Sequence, residues 1–175
     1  MKVLVIDDQR RNIASAQKLV VHGLAVVAVD NIVEARKLLI HQHGEFDAVL
    51  TDLHMPVGKY RGVMADWIAS PKEELPVGLV FALTASNFGI RTVICTDSDH
   101  HRDWISALLS LVREASHCAD YKVAYEEARN CRLDAHFDEE RNLLVEGNQQ
   151  QDAPLVKDWF MAMQRSRLFP ELNGA

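Results

Sequence analysis

Three aspartates in this sequence are spaced so that they could do chemistry together. Asp7 and Asp8 close an apolar, β-branched run at 3–6, and Asp52 follows a second such run at 46–50, with Thr51 between. Clustered carboxylates repel one another, which raises their pKa values unless a cation joins them. A small set of hard oxygen donors with room for water and phosphate suits Mg2+. Such an ion would also neutralise charge on an incoming phosphoryl group. An aspartate beside it can then act as a nucleophile and form an acyl phosphate. Taken alone, Asp7 and Asp8 could simply cap the first helix and offset its dipole. Asp52, at the end of another apolar run, is what capping leaves unexplained.

The elements that would position these acids can be read from periodicity. A continuous apolar run such as 3–6 predicts a strand buried on both faces, as in a parallel sheet. Residues 10–22 carry apolar or small side chains at Ile13, Ala14, Ala16, Leu19 and Val20, a helical stripe, with Gly23 just past its end. A second strand is expected at 24–29. Asp30 or Asn31 can cap the next helix, with Glu34 near the capping-box position. That helix uses Val33, Leu38 and Leu39, and Gly44 ends it. The third strand is 46–50. The first 52 residues therefore read βαβαβ, which implies a parallel sheet with right-handed crossovers. Ligands of such sheets gather beyond the carboxyl ends of the strands, where the three acids fall.

Pro56, Gly58, Gly62, Pro71 and Pro76 punctuate 54–76, which is expected to be an extended loop with a short helix at 63–68. Two assignments fit 77–99. Either 76–86 is a fourth strand ending at Thr84, or 77–88 is a helix stopped by Gly89 and 91–96 is that strand. The second is preferred, because the first leaves only 87–91 for a parallel crossover, which needs about a dozen residues. A helix through Trp104, Leu108, Leu111 and Val112 should follow, then a fifth strand near 121–125. The final helix is expected from Pro154, a favoured first-turn residue, to Leu168. The polar stretch 126–152 lies between them as an insertion. A turn at 138–142 flanked by Phe137 and by Leu143 to Val145 suggests a small hairpin, and 147–152 a linker.

Val-Leu-Val-Ile-Asp7-Asp8-Gln and Phe-Asp-Ala-Val-Leu-Thr-Asp52-Leu-His-Met-Pro56 resemble the two N-terminal motifs of response-regulator receiver domains, and the interval from Asp8 to Asp52 matches. The pair at this spacing is specific, and it covers residues 1–56. The remainder is similar only in its βα alternation. The resemblance implies a flavodoxin-like, doubly wound, five-stranded parallel sheet with helices on both faces. It implies that Asp52 is the phosphoacceptor and that Asp8 binds Mg2+ directly. Asp7 would bind it directly or through water, and the backbone carbonyl of His54 would complete the protein ligands. Thr96, or Thr84 in the alternative assignment, would be the hydroxyl that contacts the phosphoryl group. Lys122 is the candidate for the lysine that pairs with it. A sensor histidine kinase or a phosphotransfer protein would be the donor, and output would run through protein contacts, with a homodimer as one form. Three features depart from the family pattern: the long loop after Pro56, the insertion at 126–152, and the missing Lys-Pro pair after a fifth strand. An appended DNA-binding domain is not expected within these 175 residues.

Composition narrows the alternatives. With 175 residues, 48% hydrophobic and 25% charged, the chain suits one globular domain. Its formal net charge of −6 argues against a nucleic-acid surface. Cys95, Cys118 and Cys131 are odd in number and lack C-x-x-C spacing, so a zinc knuckle or disulfide framework is not expected and a reducing cytosol fits. The four apolar residues at 3–6 are too few for a signal-peptide core, and no apolar run approaches the ~20 residues of a membrane span. His100 and His101 could line the pocket or bind a transition metal with an acid, although a helix cap with solvated histidines also accounts for 96–101. Two rivals to a phosphorylation switch remain. One is a non-phosphorylated receiver-like interaction module, and the other a metal-dependent phosphohydrolase using the same acids with His100 or His101.

Overall fold

The computed structural model describes residues 1–56, 74–97, 105, 109, 122–146 and 154–172. Its centre is a five-stranded parallel sheet of β1 (Lys2–Ile6), β2 (Ala25–Val29), β3 (Ala48–Thr51), β6 (Arg91–Thr96) and β7 (Val123–Glu127), in the order β2-β1-β3-β6-β7. Every adjacent pair in it is parallel. Val3, Leu4, Val5 and Ile6 are all fully buried, because helices cover both faces of the sheet. On one face Val3, Val5, Leu50, Val93 and Cys95 pack with α1 (Arg10–Ala16) and α4 (Trp159–Arg165). On the other, Leu4, Ile6 and Val49 pack with α2 (Ile32–His41) and α3 (Val77–Asn87). Ile105 and Leu109 are helical and buried against Leu53, Ala82 and Ile94. This is the flavodoxin-like arrangement expected from the sequence.

Local chemistry sets the element ends. After Ala16 the first helix tightens to a 3-10 turn, Gln17–His22, and stops at Gly23, whose φ of 76° is readily reached only without a Cβ. Asn31, rather than Asp30, caps α2 by accepting from the Glu34 amide at 2.9 Å. That helix ends at His41, and Gly44 lies instead in a short 3-10 turn, His43–Glu45. Residues 77–87 are helix and 91–96 are strand, which excludes the assignment with a strand at 76–86. Thr84 is half-buried on α3, where its hydroxyl donates back to the Val80 carbonyl, so it does not reach the sheet edge.

Two expectations need correction. The fifth parallel strand begins at Val123, so Lys122 precedes it, and its carbonyl accepts from the Thr92 amide at the amino end of β6. The last helix begins at Trp159, not Pro154. Residues 154–158 are instead extended: the Leu133 amide donates to the Val156 carbonyl, the Asp158 amide donates to the Cys131 carbonyl, and Arg132 bridges Lys157 in antiparallel sense. Asp158 supplies the cap, accepting from the Met161 amide at 2.9 Å. Pairing with 131–133 satisfies backbone groups that a longer helix would otherwise have satisfied.

The insertion does form a hairpin, β8 (Ala135–Asp138) with β9 (Leu143–Glu146), around the expected turn. Two short strands, β4 (Met55–Pro56) and β5 (Glu74–Leu75), pair antiparallel at the ends of the long loop. The short helix expected at 63–68, most of the helix after residue 99, and the linker at 147–152 lie outside the described residues. No described helix is long and apolar enough to cross a membrane.

Candidate metal and phosphoryl site

The carboxyl ends of β1 and β3 bring the three acids together. The strand ladder continues past both strands, since the Asp7 amide donates to Val29 and the Asp52 amide to Ile6. Asp7, Asp8 and Asp52 each offer a carboxylate oxygen within 4.8 Å of the others. This set of hard oxygen donors could hold a metal ion. Asp7 and Asp52 are buried and Asp8 is half-buried.

A lysine that the sequence reading did not single out completes the cluster. Lys157 is fully buried, and its Nζ lies 2.7 Å from Asp7 Oδ2 and 2.9 Å from Asp52 Oδ1. The ammonium also sits 5.4 Å from the centre of the Trp159 ring, within cation–π range. Burial works against its charge, but Asp7 and then Asp52 outweigh that and raise its pKa above the ordinary lysine value. Lys157 is thus a permanent cation at neutral pH.

Asn12 organises the pocket's walls. Its Nδ2 donates to both Asp7 oxygens at 3.1 Å, its Oδ1 accepts from the Lys157 amide at 3.1 Å, and its carbonyl accepts from Trp159 Nε1 at 2.9 Å. Asp7 Oδ1 also accepts from the Gln9 amide. Arg11, one residue earlier, donates to the Leu155 carbonyl and pairs with Asp97 at 3.3 Å. The first helix therefore ties itself to the segment that delivers Lys157.

Asp52 stands differently. Its Oδ1 accepts from the Leu53 amide at 2.8 Å and from Lys157, whereas Oδ2 accepts no hydrogen bond from any described residue. Burial raises its pKa from the usual 3.8 to about 7, with Lys157 opposing and Asp7 adding to the rise. The backbone beneath it is held by α3. The Gly78 amide donates to the Leu53 carbonyl at 3.0 Å, and a Cβ on Gly78 would fall 1.8 Å from the Asp52 carbonyl oxygen. Only glycine lets this helix approach so closely.

The other expected site residues divide. Thr96 is buried at the carboxyl end of β6, the same edge of the sheet as the acids. His54 is half-buried, two residues beyond Asp52. Lys122 lies at the amino end of β7, the opposite edge, so it is not placed to pair with a group on Asp52. His100 and His101 lie outside the described residues. The signal for Lys157 was present but remote: a lysine directly before Asp158, the cap of the last helix. The insertion had carried it far from the fifth strand, where a lysine was sought. No protein-family model matches the chain, and no curated protein matches it.

Proposed function

We propose that this chain is a receiver-type phosphorylation switch in which Asp52 accepts a phosphoryl group. The observation that carries this reading is the asymmetry of the Asp52 carboxylate. One oxygen is held by the Leu53 amide and Lys157, and the other accepts nothing from the described residues. Oδ2 is the nucleophile. It attacks phosphorus, the bond from phosphorus to the donor's nitrogen or oxygen breaks, and the donor leaves with the electron pair.

Asp7, Asp8 and Asp52 would hold Mg2+, with the His54 carbonyl as a further ligand. The ion, when bound, supplies charge neutralisation for the transferring group. Lys157 takes the role sought in Lys122, since its ammonium already touches the accepting carboxylate and can pair with a phosphoryl oxygen. Thr96 is the hydroxyl at the neighbouring strand end. A sensor histidine kinase or phosphotransfer protein is the donor, and the added charge is read out by protein contacts.

Acetyl phosphate provides the test. Labelling that requires Mg2+, maps to Asp52 and is lost in Asp52→Ala supports the switch. Absence of labelling in the folded protein, with Mg2+ present, favours a non-phosphorylated interaction module. Steady turnover of a phosphoester would instead indicate a phosphohydrolase.

A further inference from the structure

The lysine that closes the acidic pocket belongs to the base of the β8–β9 hairpin. Residues 131–133 and 156–158 form a short antiparallel ladder, and the hairpin projects from one end of it. Lys157 is part of that ladder: its backbone bridges Arg132 while its side chain reaches Asp7 and Asp52. Beyond the ladder the hairpin meets the first helical segment through side chains alone. Glu146 pairs with Lys18 at 2.8 Å, but the glutamate side chain is 82% exposed, and such surface pairs contribute little. An open groove of about 600 Å³ runs between Leu143 and Leu144 of the hairpin and Ile13, Ala14 and Val21 of the first helical segment. The groove is open to solvent, so side chains of the hairpin meet the helix only along its margins. The hairpin is therefore tied by backbone pairing at the pocket end and by side-chain contacts beside an open groove at α1.

We propose that the β8–β9 hairpin is the output arm of the acidic pocket, held against α1 while the Lys157 ammonium is paired with Asp7 and Asp52 and released when a competing cation or phosphoryl group draws that ammonium away. Divalent metal and ammonium compete for the same carboxylate oxygens, so pocket occupancy and arm position are linked. Linkage is reciprocal: loosening the arm must strengthen metal binding as much as metal binding loosens the arm.

Two measurements on the full chain test this. The first compares hydrogen exchange of hairpin amides at 135–146 in the wild type and in Lys157→Met, referenced to β2 amides so that global destabilisation cancels. Exchange in the hairpin should rise on the order of five-fold or more relative to β2. The second measures Mg2+ affinity by titration in Leu144→Ser, a change on the arm's α1 side that touches no pocket residue. Affinity should rise by a factor of the same order. Unchanged relative exchange in Lys157→Met, or unchanged Mg2+ affinity in Leu144→Ser, overturns the coupling. The proposal leans on the phosphorylation switch only for the pocket's ligand. If Mg2+ does not bind the wild type at all, that reading of the pocket fails, and the exchange experiment alone still decides the arm.

Discussion

Asp7 and Asp52 end neighbouring strands and share one ammonium, yet the protein treats them oppositely. Asp7 receives the Gln9 amide and Asn12 on Oδ1, and Lys157 and Asn12 on Oδ2. Asp52 receives the Leu53 amide and Lys157 on one oxygen, and its second accepts nothing from the described residues. A carboxylate whose two oxygens are both supplied with donors is held in place, well suited to position a cation. A largely buried carboxylate is raised in energy when ionised, and an oxygen that accepts nothing from the described residues is open to an incoming group. The difference teaches that one cluster of like residues can contain a fully hydrogen-bonded carboxylate and an under-bonded one, which are the cradle and the nucleophile of the function proposed above.

Removing the shared cation tests both sides together and should have the largest effect. Lys157→Met leaves Asp7 and Asp52 buried without their counter-charge, a loss of about 3–5 kcal/mol of stability. Chemical denaturation at neutral pH measures it. Mg2+ should recover part of the loss, because a divalent ion can replace the missing positive charge at the same carboxylates. A stability change below about 1 kcal/mol would mean that the pair is not the pocket's main electrostatic tie.

Neutralising the acids one at a time should separate cradle from nucleophile. Asp7→Asn weakens the Lys157 pair and puts an amide where three donor groups converge, at a cost of about 1–3 kcal/mol. Asp52→Asn should leave stability unchanged or improve it at about pH 8, since it removes a carboxylate that burial disfavours. Equal losses in the two variants would erase the distinction drawn between them. Labelling by acetyl phosphate should vanish in Asp52→Asn and only weaken in Asp7→Asn.

The titration of Asp52 gives a subtler expectation. Its folded pKa of about 7 lies above the ordinary 3.8, so between those values the folded chain holds a proton that the unfolded chain has released. Stability from this group therefore falls as pH rises through that window and is level beyond it. The raised pKa of Lys157 acts in a different range: its contribution is complete below the ordinary lysine value of 10.5 and is lost only above it. Denaturation midpoints from about pH 5 to about pH 8 should show the decline in wild type and a flatter profile in Asp52→Asn. Labelling should increase over the same interval as the carboxylate ionises.

Asp7 and Asp52 were both legible in the sequence because each sits directly after its own strand. An apolar run fixes the strand, and the next residue falls at its carboxyl end. The helix at 77–87 was legible for a related reason, since a parallel crossover needs length and the chain supplied it only there. Lys157 was not legible, because its position depends on the ladder between 131–133 and 156–158, which spans the whole hairpin insertion. No local periodicity encodes such a pairing. Pro154 misled for the same reason: its preference for a first helical turn was overridden by tertiary backbone pairing. Asn12 stayed hidden inside a helical stripe, where a buried amide looks like any polar position until its partners are known.

Lys122 supplies the sharpest contrast with Lys157 and the smallest expected effect. Both are lysines flanking the fifth strand's region of the chain, but Lys122 stands before β7 at the edge opposite the acids. Its side chain is therefore too far from Asp52 to share charge with it directly, and screening by salt weakens what remains over such a distance. Lys122→Ala should change stability by no more than about 0.5 kcal/mol, as surface substitutions away from special features do. Mg2+ affinity and labelling at Asp52 should match the wild type. Loss of labelling in Lys122→Ala, with Lys157→Met still labelled, would return the phosphate-pairing role to the residue first suggested by the sequence. It would also place the working end of the fifth strand at its amino terminus.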